Sequence, residues 1–301
     1  APPIYEEPAL EGKPMSTIGA LYEFILSDLY TAVQTTPATR QNKSYVNRNV
    51  AHAMLARVHQ VMGNWQEAAN AATIARQGYS LNASEYAQGF DDMNASEWIW
   101  ALPQRSDQTN YFYIAPHAFT DNESDGYGLA FWNKDFVSLF SPTDVRNTFV
   151  DLYGVGEGND YYARASSKFR FSFSADIPII RSAEMLLIEI EAKARLGNEN
   201  EAASLLLQLQ QNRDPNAQAS GNTGNALIEE ILVERRKELY GELGVGWFDA
   251  KRLRRGITRT GNHRVGSPAN LLPDDKKFFL KIPQKEIDSN EYIDDSVNSN
   301  R

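Results

Sequence analysis

The stretch Gly63-Asn64-Trp65-Gln66-Glu67-Ala68-Ala69 is echoed from Gly197 as Gly-Asn-Glu-Asn-Glu-Ala-Ala. In both places an apolar run at helical spacing comes before the pair and another follows it. Gly-Asn after such a run stops a helix, so each copy predicts helix, tight turn, helix. The first copy places helices at about 47–62 and 65–77, and the second at about 183–196 and 199–211. Val50, Ala53, Met54, Arg57, Val58 and Val61 lie along one side of the first helix. Leu55-Ala56, then Ala68 and Ala75, fall at the spacing of the tetratricopeptide pattern, in which small residues let paired helices touch. The copies are imperfect, since Glu189 stands where the first has Leu55. A further helix over 16–35, capped by Ser16 and striped by Ile18, Leu21, Tyr22, Ile25, Leu29 and Val33, fits the second half of another repeat. Its partner would lie upstream of Ala1. The expected fold is therefore mainly α, a helical-repeat scaffold, and such a scaffold names no ligand.

Between the copies the texture changes. Residues 82–176 are rich in Asp, Asn, Ser, Gly and aromatics. Ser96–Pro103 alternates like a short strand, and Lys168–Ser174 does so with Phe169, Phe171 and Phe173 on one face. Polar stretches carried on a rigid scaffold are where binding sites usually sit. After the second copy come a polar loop, a helix over about 225–240 with Leu227, Ile228, Ile231, Leu232 and Leu239 as its buried stripe, and an extended tail over 279–290. The organisation expected is one domain over 1–301, with repeat elements at about 16–80 and 181–212, a loop-rich insertion at 82–176 and a C-terminal part at 225–301.

Charge and residue usage remove several classes. A net charge of −9 disfavours a nucleic-acid partner, with Lys251–Arg255 the one basic cluster. There is no cysteine, which excludes disulfides, thiolate zinc sites and cysteine nucleophiles. No run of about 18 apolar residues spans a bilayer. The chain opens without Met on a Pro-rich segment, compatible with an upstream targeting segment that has been removed.

Four stretches together resemble the SusD/RagB family of bacterial outer-membrane nutrient-binding lipoproteins: Val46–Ala72, Arg181–Ala202, Ile231–Leu253 and Lys281–Asn290. The resemblance rests on Arg-Ser-Ala-Glu from Arg181, on Glu-Arg-Arg-Lys-Glu-Leu from Glu234 followed by Trp247-Phe248-Asp249 and Arg252, and on Ile-Pro-Gln-Lys-Glu from Ile282. It runs from about Ser16 to Asn290. Family members are usually longer at the N-terminus, beyond a lipid-modified cysteine, and often end differently from the polar tail Glu291–Arg301. The resemblance implies a non-enzymatic surface protein of the outer membrane. It would capture an oligosaccharide, or peptides as some relatives do, and pass it to a SusC-like TonB-dependent transporter. Part of the binding site would then come from N-terminal residues this chain lacks.

A sugar ring presents an apolar C–H face to aromatics and a hydroxyl edge to amides and carboxylates. The segments 105–116 and 124–133 supply both, which makes Tyr111, Tyr113, Tyr127 and Trp132 candidate platforms, with Asp107, Asn110 and Asn133 as polar partners. The plainer reading of each aromatic is core of the loop region. Asp121, Glu123 and Asp125 begin like a calcium loop, but its twelfth position is Trp132 rather than Glu. No cofactor is otherwise expected. Gly154–Asp160 lacks the strand–helix setting of a phosphate cradle. His52, His59, His117 and His263 form no metal-binding pair, and His52 and His59 read as packing residues on one helix. Glu234, Arg235, Arg236, Glu238, Asp249 and Arg252 read as an ion-pair network holding the last helix to the second repeat. Two other classes compete with glycan capture. One is a peptide-binding scaffold, which has little use for so many loop aromatics. The other is an all-helical glycoside hydrolase, which needs two poised carboxylates that the sequence does not pair.

Overall fold

The computed structural model describes residues 1–108, 116–121, 130–151, 164–242, 244–262 and 270–300. Helix α1 (Ile18–Thr35) is capped by Thr17, whose hydroxyl accepts from the Ala20 amide, rather than by Ser16. Asn47 caps α2 (Arg48–Met62) through the Val50 amide, and α3 (Trp65–Ala75) follows. The second hairpin is α7 (Ser182–Arg195) and α8 (Glu199–Arg213). Both turns are built alike. Gly63 and Gly197 take φ of 76° and 84°, in the left-handed region that favours glycine. The Gly63 and Gly197 amides donate to Gln60 and Ala194, and the Asn64 and Asn198 amides reach back to His59 and Lys193, both at 2.9 Å. This double bond satisfies the last carbonyls of the helix, so the repeated Gly-Asn is a repeated C-terminal cap.

The hairpins stack through α7. Ala53, Ala56, Ala68, Ala72 and Ala75 are fully buried, and they bring α2 and α3 close to Met185, Ile188 and Ala192 of α7. The other side of α7, with Leu186, Leu187 and Ile190, packs on Leu206 and Leu209 of α8 and on Leu227 and Ile231 of α9 (Gly224–Leu239). With apolar side chains toward neighbours on both sides, α7 is buried from Ser182 through Ala192, its Glu184, Glu189 and Glu191 held in ion pairs. Each of its large apolar side chains contributes roughly 1.5–3 kcal/mol by leaving water. Val61, expected on the buried side of α2, is 44% exposed, because the stripe actually covered runs through Val50, Ala53, Ala56 and His59.

The insertion starts after α4 (Ala83–Gln88) and strand β1 (Trp98–Leu102). Its described parts include α5 (Pro116–Thr120), α6 (Lys134–Val137) and the short pair β2 (Phe149–Val150) and β3 (Ala165–Ser166). It closes on β4 (Ile177–Arg181), which pairs antiparallel with β1, Trp98 opposite Arg181 and Leu102 opposite Ile177. The expected strand over Lys168–Ser174 does not form. Phe169 and Phe171 are buried at an irregular turn, with Phe169 in a cluster with Tyr86, Phe90 and Trp98, while Phe173 is 48% exposed. A further helix, α10 (Val245–Arg252), lies where no helix was expected, and the tail over 279–290 contains α11 (Gln284–Ser289) instead of being wholly extended. No described helix is long and apolar enough to cross a membrane.

Candidate functional site

Helix α9 ends at Leu239, and the chain turns through Gly241 and Gly244, both at φ 74°, before entering α10. The turn lays α10 beside the outer part of α9 and leaves an open cavity of about 710 Å³ between them. Its apolar wall comes from Leu232, Val233, Leu239, Val245 and Leu253. Segment 130–136 of the insertion closes one side with Trp132, Asn133 and Phe136. A Cβ on Gly241 would stand 3.5 Å from Trp132 Cη2 and 3.0 Å from Phe169, so glycine there lets the indole come close.

Two of the expected site residues therefore meet at this cavity. Trp132 packs edge-on against Tyr240, with centroids 4.8 Å apart, and beside Phe136 at 5.8 Å. Its amide donates to the Arg164 carbonyl at 2.6 Å. Its indole N–H is buried without a partner among the described residues. Trp132 thus belongs at once to an aromatic core and to a cavity wall. Asn133 caps α6 by accepting from the Asp135 amide at 2.8 Å, and its side-chain amide donates to the Thr260 carbonyl. It ties the insertion to the segment after α10. Asp107 lies elsewhere, exposed beside Arg105 at 3.8 Å. Asp121 is buried, and its Oδ2 accepts the Phe171 amide at 2.5 Å, so this carboxylate holds the backbone of the insertion. Asn110, Tyr111, Tyr113, Glu123, Asp125 and Tyr127, with Gly154–Asp160 and His263, lie outside the described residues. His59 is buried between the Tyr30 hydroxyl at 3.1 Å and Asn64 at 3.2 Å, a packing role.

Beneath the cavity lies a buried ion network larger than the sequence suggests. Glu238 takes ion pairs from Arg146 at 3.1 Å and from Arg181 and Arg213 at 3.0 Å each. Glu97 joins Arg181 at 3.0 Å and Arg213 at 2.8 Å. Burial alone would raise the Glu238 carboxyl, but the three guanidiniums hold it well below the usual range. Lys168 donates to the Glu238 and Tyr240 carbonyls at 2.9 and 2.8 Å and to Glu242 at 2.7 Å. Burial lowers its pKa to about 8 against the pull of Glu242. These bonds fix the turn that forms the cavity floor. The expected tie to the second repeat is present: Arg252 pairs with Glu191 of α7 at 2.8 Å and with Asp249 at 2.7 Å, and Arg235 pairs with Asp249 at 2.8 Å. Arg236 is not part of it and lies over the Phe136 ring at 5.0 Å. Phe248 is 59% exposed instead of being a core anchor, whereas Trp247 packs on Phe278 at 4.8 Å. Arg146, Arg181, Arg213 and Glu97 were not legible as a unit, because each comes from a different stretch of chain.

The architecture is a tetratricopeptide-like helical-repeat scaffold bearing a loop-rich insertion and an open, partly aromatic cavity. Residues 153–300 match the SusD family profile. SusD-like protein P38 of Formosa agariphila is 30% identical over 196 residues, 60% of this chain and 35% of that protein. The chain thus matches about a third of that relative's length. A SusD-like carbohydrate binding protein from Bacteroides vulgatus superposes with a TM-score of 0.83 at 28% identity, covering 97% of this chain and 70% of that one. A SusD superfamily protein from Bacteroides thetaiotaomicron gives 0.84 at 26% identity, again covering 97% and 70%. The chain is similar to the SusD family in sequence over residues 153–300 and shares the fold of SusD-like proteins over nearly its whole length.

Proposed function

We propose that this chain captures oligosaccharide at the bacterial cell surface and passes it to a SusC-like TonB-dependent outer-membrane transporter. The observation that carries the reading is the open cavity of about 710 Å³, walled by Trp132, Phe136 and Tyr240 and by aliphatic side chains of α9 and α10. That volume suits a small ligand, and an indole at its wall offers a stacking face to a sugar ring. The carbohydrate-binding name of the Bacteroides vulgatus relative supports the same reading. Anchoring in the outer membrane through a lipid belongs to the proposal, as do Tyr111, Tyr113, Tyr127, Asn110 and Asp107 as further contacts and calcium as an optional stabiliser of the insertion. The reading is one of binding without catalysis. Hydrolysis of a glycosidic bond needs two carboxylates facing it, and Glu229, Glu242 and Asp249, which line the cavity, are each held in an ion pair.

Titration calorimetry against a panel of oligosaccharides tests this. One glycan class should bind, and Trp132→Ala should weaken it by about tenfold or more, the scale of a lost aromatic contact. Thermal melting of the variant separates loss of contact from loss of fold. Binding only to peptides would replace glycan with peptide as the cargo.

A further inference from the structure

The cavity wall contributed by Leu253 and residues 255–258 belongs to the one basic run of an otherwise acidic chain. Between Ala250 and Asn262 stand Lys251, Arg252, Arg254, Arg255 and Arg259, with no acidic residue among them. The run is held rigidly, because Ile257 and Leu271 exchange amide bonds of 2.8 and 3.0 Å. Arg254 sits just past the end of α10 at φ 50°, in a left-handed conformation that glycine usually fills.

Arg236 of α9 lines the same cavity. The acids that line the cavity are already neutralised: Glu229 by Arg255, Asp249 by Arg235 and Arg252, and Glu242 by Lys168 and Arg181. Arg236 has no carboxylate or hydrogen-bond partner among the described residues, and its guanidinium is propped on the Phe136 ring. Arg254 is exposed and likewise carries no ion pair among them. Arg236 is thus the one cavity-lining guanidinium without an acidic partner among the described residues. Distant acids do not cancel its charge, because exposed charges beyond about 8 Å are largely screened at physiological salt.

Resting on the oligosaccharide reading above, we infer that this cavity takes an acidic saccharide, with Arg236 receiving a carboxylate or sulfate ester on the sugar. A guanidinium offers two parallel N–H donors to such a group. Trp132 and Phe136 flank it with apolar surface.

The test is calorimetry at low and physiological salt with three probes. They are a uronic-acid oligosaccharide, the same oligosaccharide after carboxyl reduction, and a sulfated oligosaccharide on a neutral backbone. The expected result is that at least one acidic probe binds about tenfold more tightly than the reduced one, the scale of one charge-assisted hydrogen bond. Arg236→Gln should abolish that gap without changing affinity for the reduced probe, and Arg236→Lys should restore part of it. Because Arg236 is exposed and unpaired, these variants should melt with the parent. The two acidic probes distinguish carboxylate from sulfate recognition. Equal affinity for acidic and reduced probes overturns the inference and leaves oligosaccharide capture standing. A preference that survives Arg236→Gln overturns the placement. Binding of none of the three overturns the inference, and failure across the wider panel as well overturns the reading it rests on.

Discussion

The hairpin of α2 and α3 and the hairpin of α7 and α8 reverse through the same Gly-Asn cap, yet they bury different chemistry. The first is joined by alanines, with Ala53, Ala56, Ala68, Ala72 and Ala75 all fully buried. The second is joined by Leu and Ile, and α7 also carries three buried carboxylates. Glu184 pairs with Arg57 at 2.6 Å, Glu189 with Arg76 at 2.7 Å and Glu191 with Arg252 at 2.8 Å. Two of these ties run back to the first hairpin and one runs forward to α10. The first hairpin is a close-packed spacer, whereas the second is a hub that sets where the cavity wall stands. A repeat in sequence thus repeats the turn and the backbone path, not the work the helices do.

The contrast can be broken most forcefully at Glu238. Replacing it with Ala leaves Arg146, Arg181 and Arg213 buried around a missing charge, and urea unfolding should show a loss of about 3–5 kcal/mol. A loss below 1 kcal/mol would mean that the network is not what holds the hub.

Acid should weigh more heavily on the hub than on the alanine spacer. Glu238, Glu191 and Glu242 all titrate below their ordinary value of 4.5 in the folded state. The unfolded chain then binds more protons, so their stabilisation is present above pH 4.5 and is lost as pH falls through the folded values. His59 and His117, held below 6.5 by burial, add a smaller decline that starts below pH 6.5. Urea midpoints measured from pH 7.5 to 3 should fall gently at first and steeply below about 4.5, and Glu238→Gln should blunt the steep part.

In the spacer the sensitive change is one of volume. Ala72→Leu inserts carbon atoms where the helices touch, and should cost about 1–3 kcal/mol in the same assay. A neutral result would show that α3 can move away from α7. The smallest effect is expected at the shared feature. Gly63→Ala and Gly197→Ala meet no atom nearer than 3.9 Å, so only the left-handed backbone resists them. Each should cost about 1 kcal/mol, and the two should agree. Unequal losses would sharpen the comparison by showing that one cap carries a contact the other lacks.

What was legible in the sequence was local. The Gly-Asn caps, the alanine spacing and the stripe on α9 are written within a few turns of helix, and the structure has them. Strand β4 was missed because Ile177-Pro178-Ile179-Ile180 has no alternation of its own and finds its partner only at Trp98–Leu102. Helix α10 was missed because its two glycines, Gly244 and Gly246, read as loop. The alternating Phe169, Phe171 and Phe173 misled in the opposite sense, since two of them fill aromatic gaps rather than one face of a sheet. Trp132 and Asn133 were legible as residue types suited to sugar. Their neighbours were not, because the cavity joins positions 132–136 to 229–258, and only tertiary packing brings those stretches together.

The pairing of β1 with β4 also says how the insertion can vary apart from the scaffold. The pair is a clasp: Leu102 and Ile177 stand opposite one another and bring together the two ends of the stretch 103–176. The entropy of closing a loop grows only with the logarithm of its length, and doubling it costs about 0.6 kcal/mol. Residues can therefore be added in the exposed parts of the insertion at little entropic cost, whereas Arg146 and Lys168, which reach from it into the buried ion network, are bound to the helical stack. Selection can rewrite the insertion around those two residues while α2, α3, α7 and α8 stay as they are.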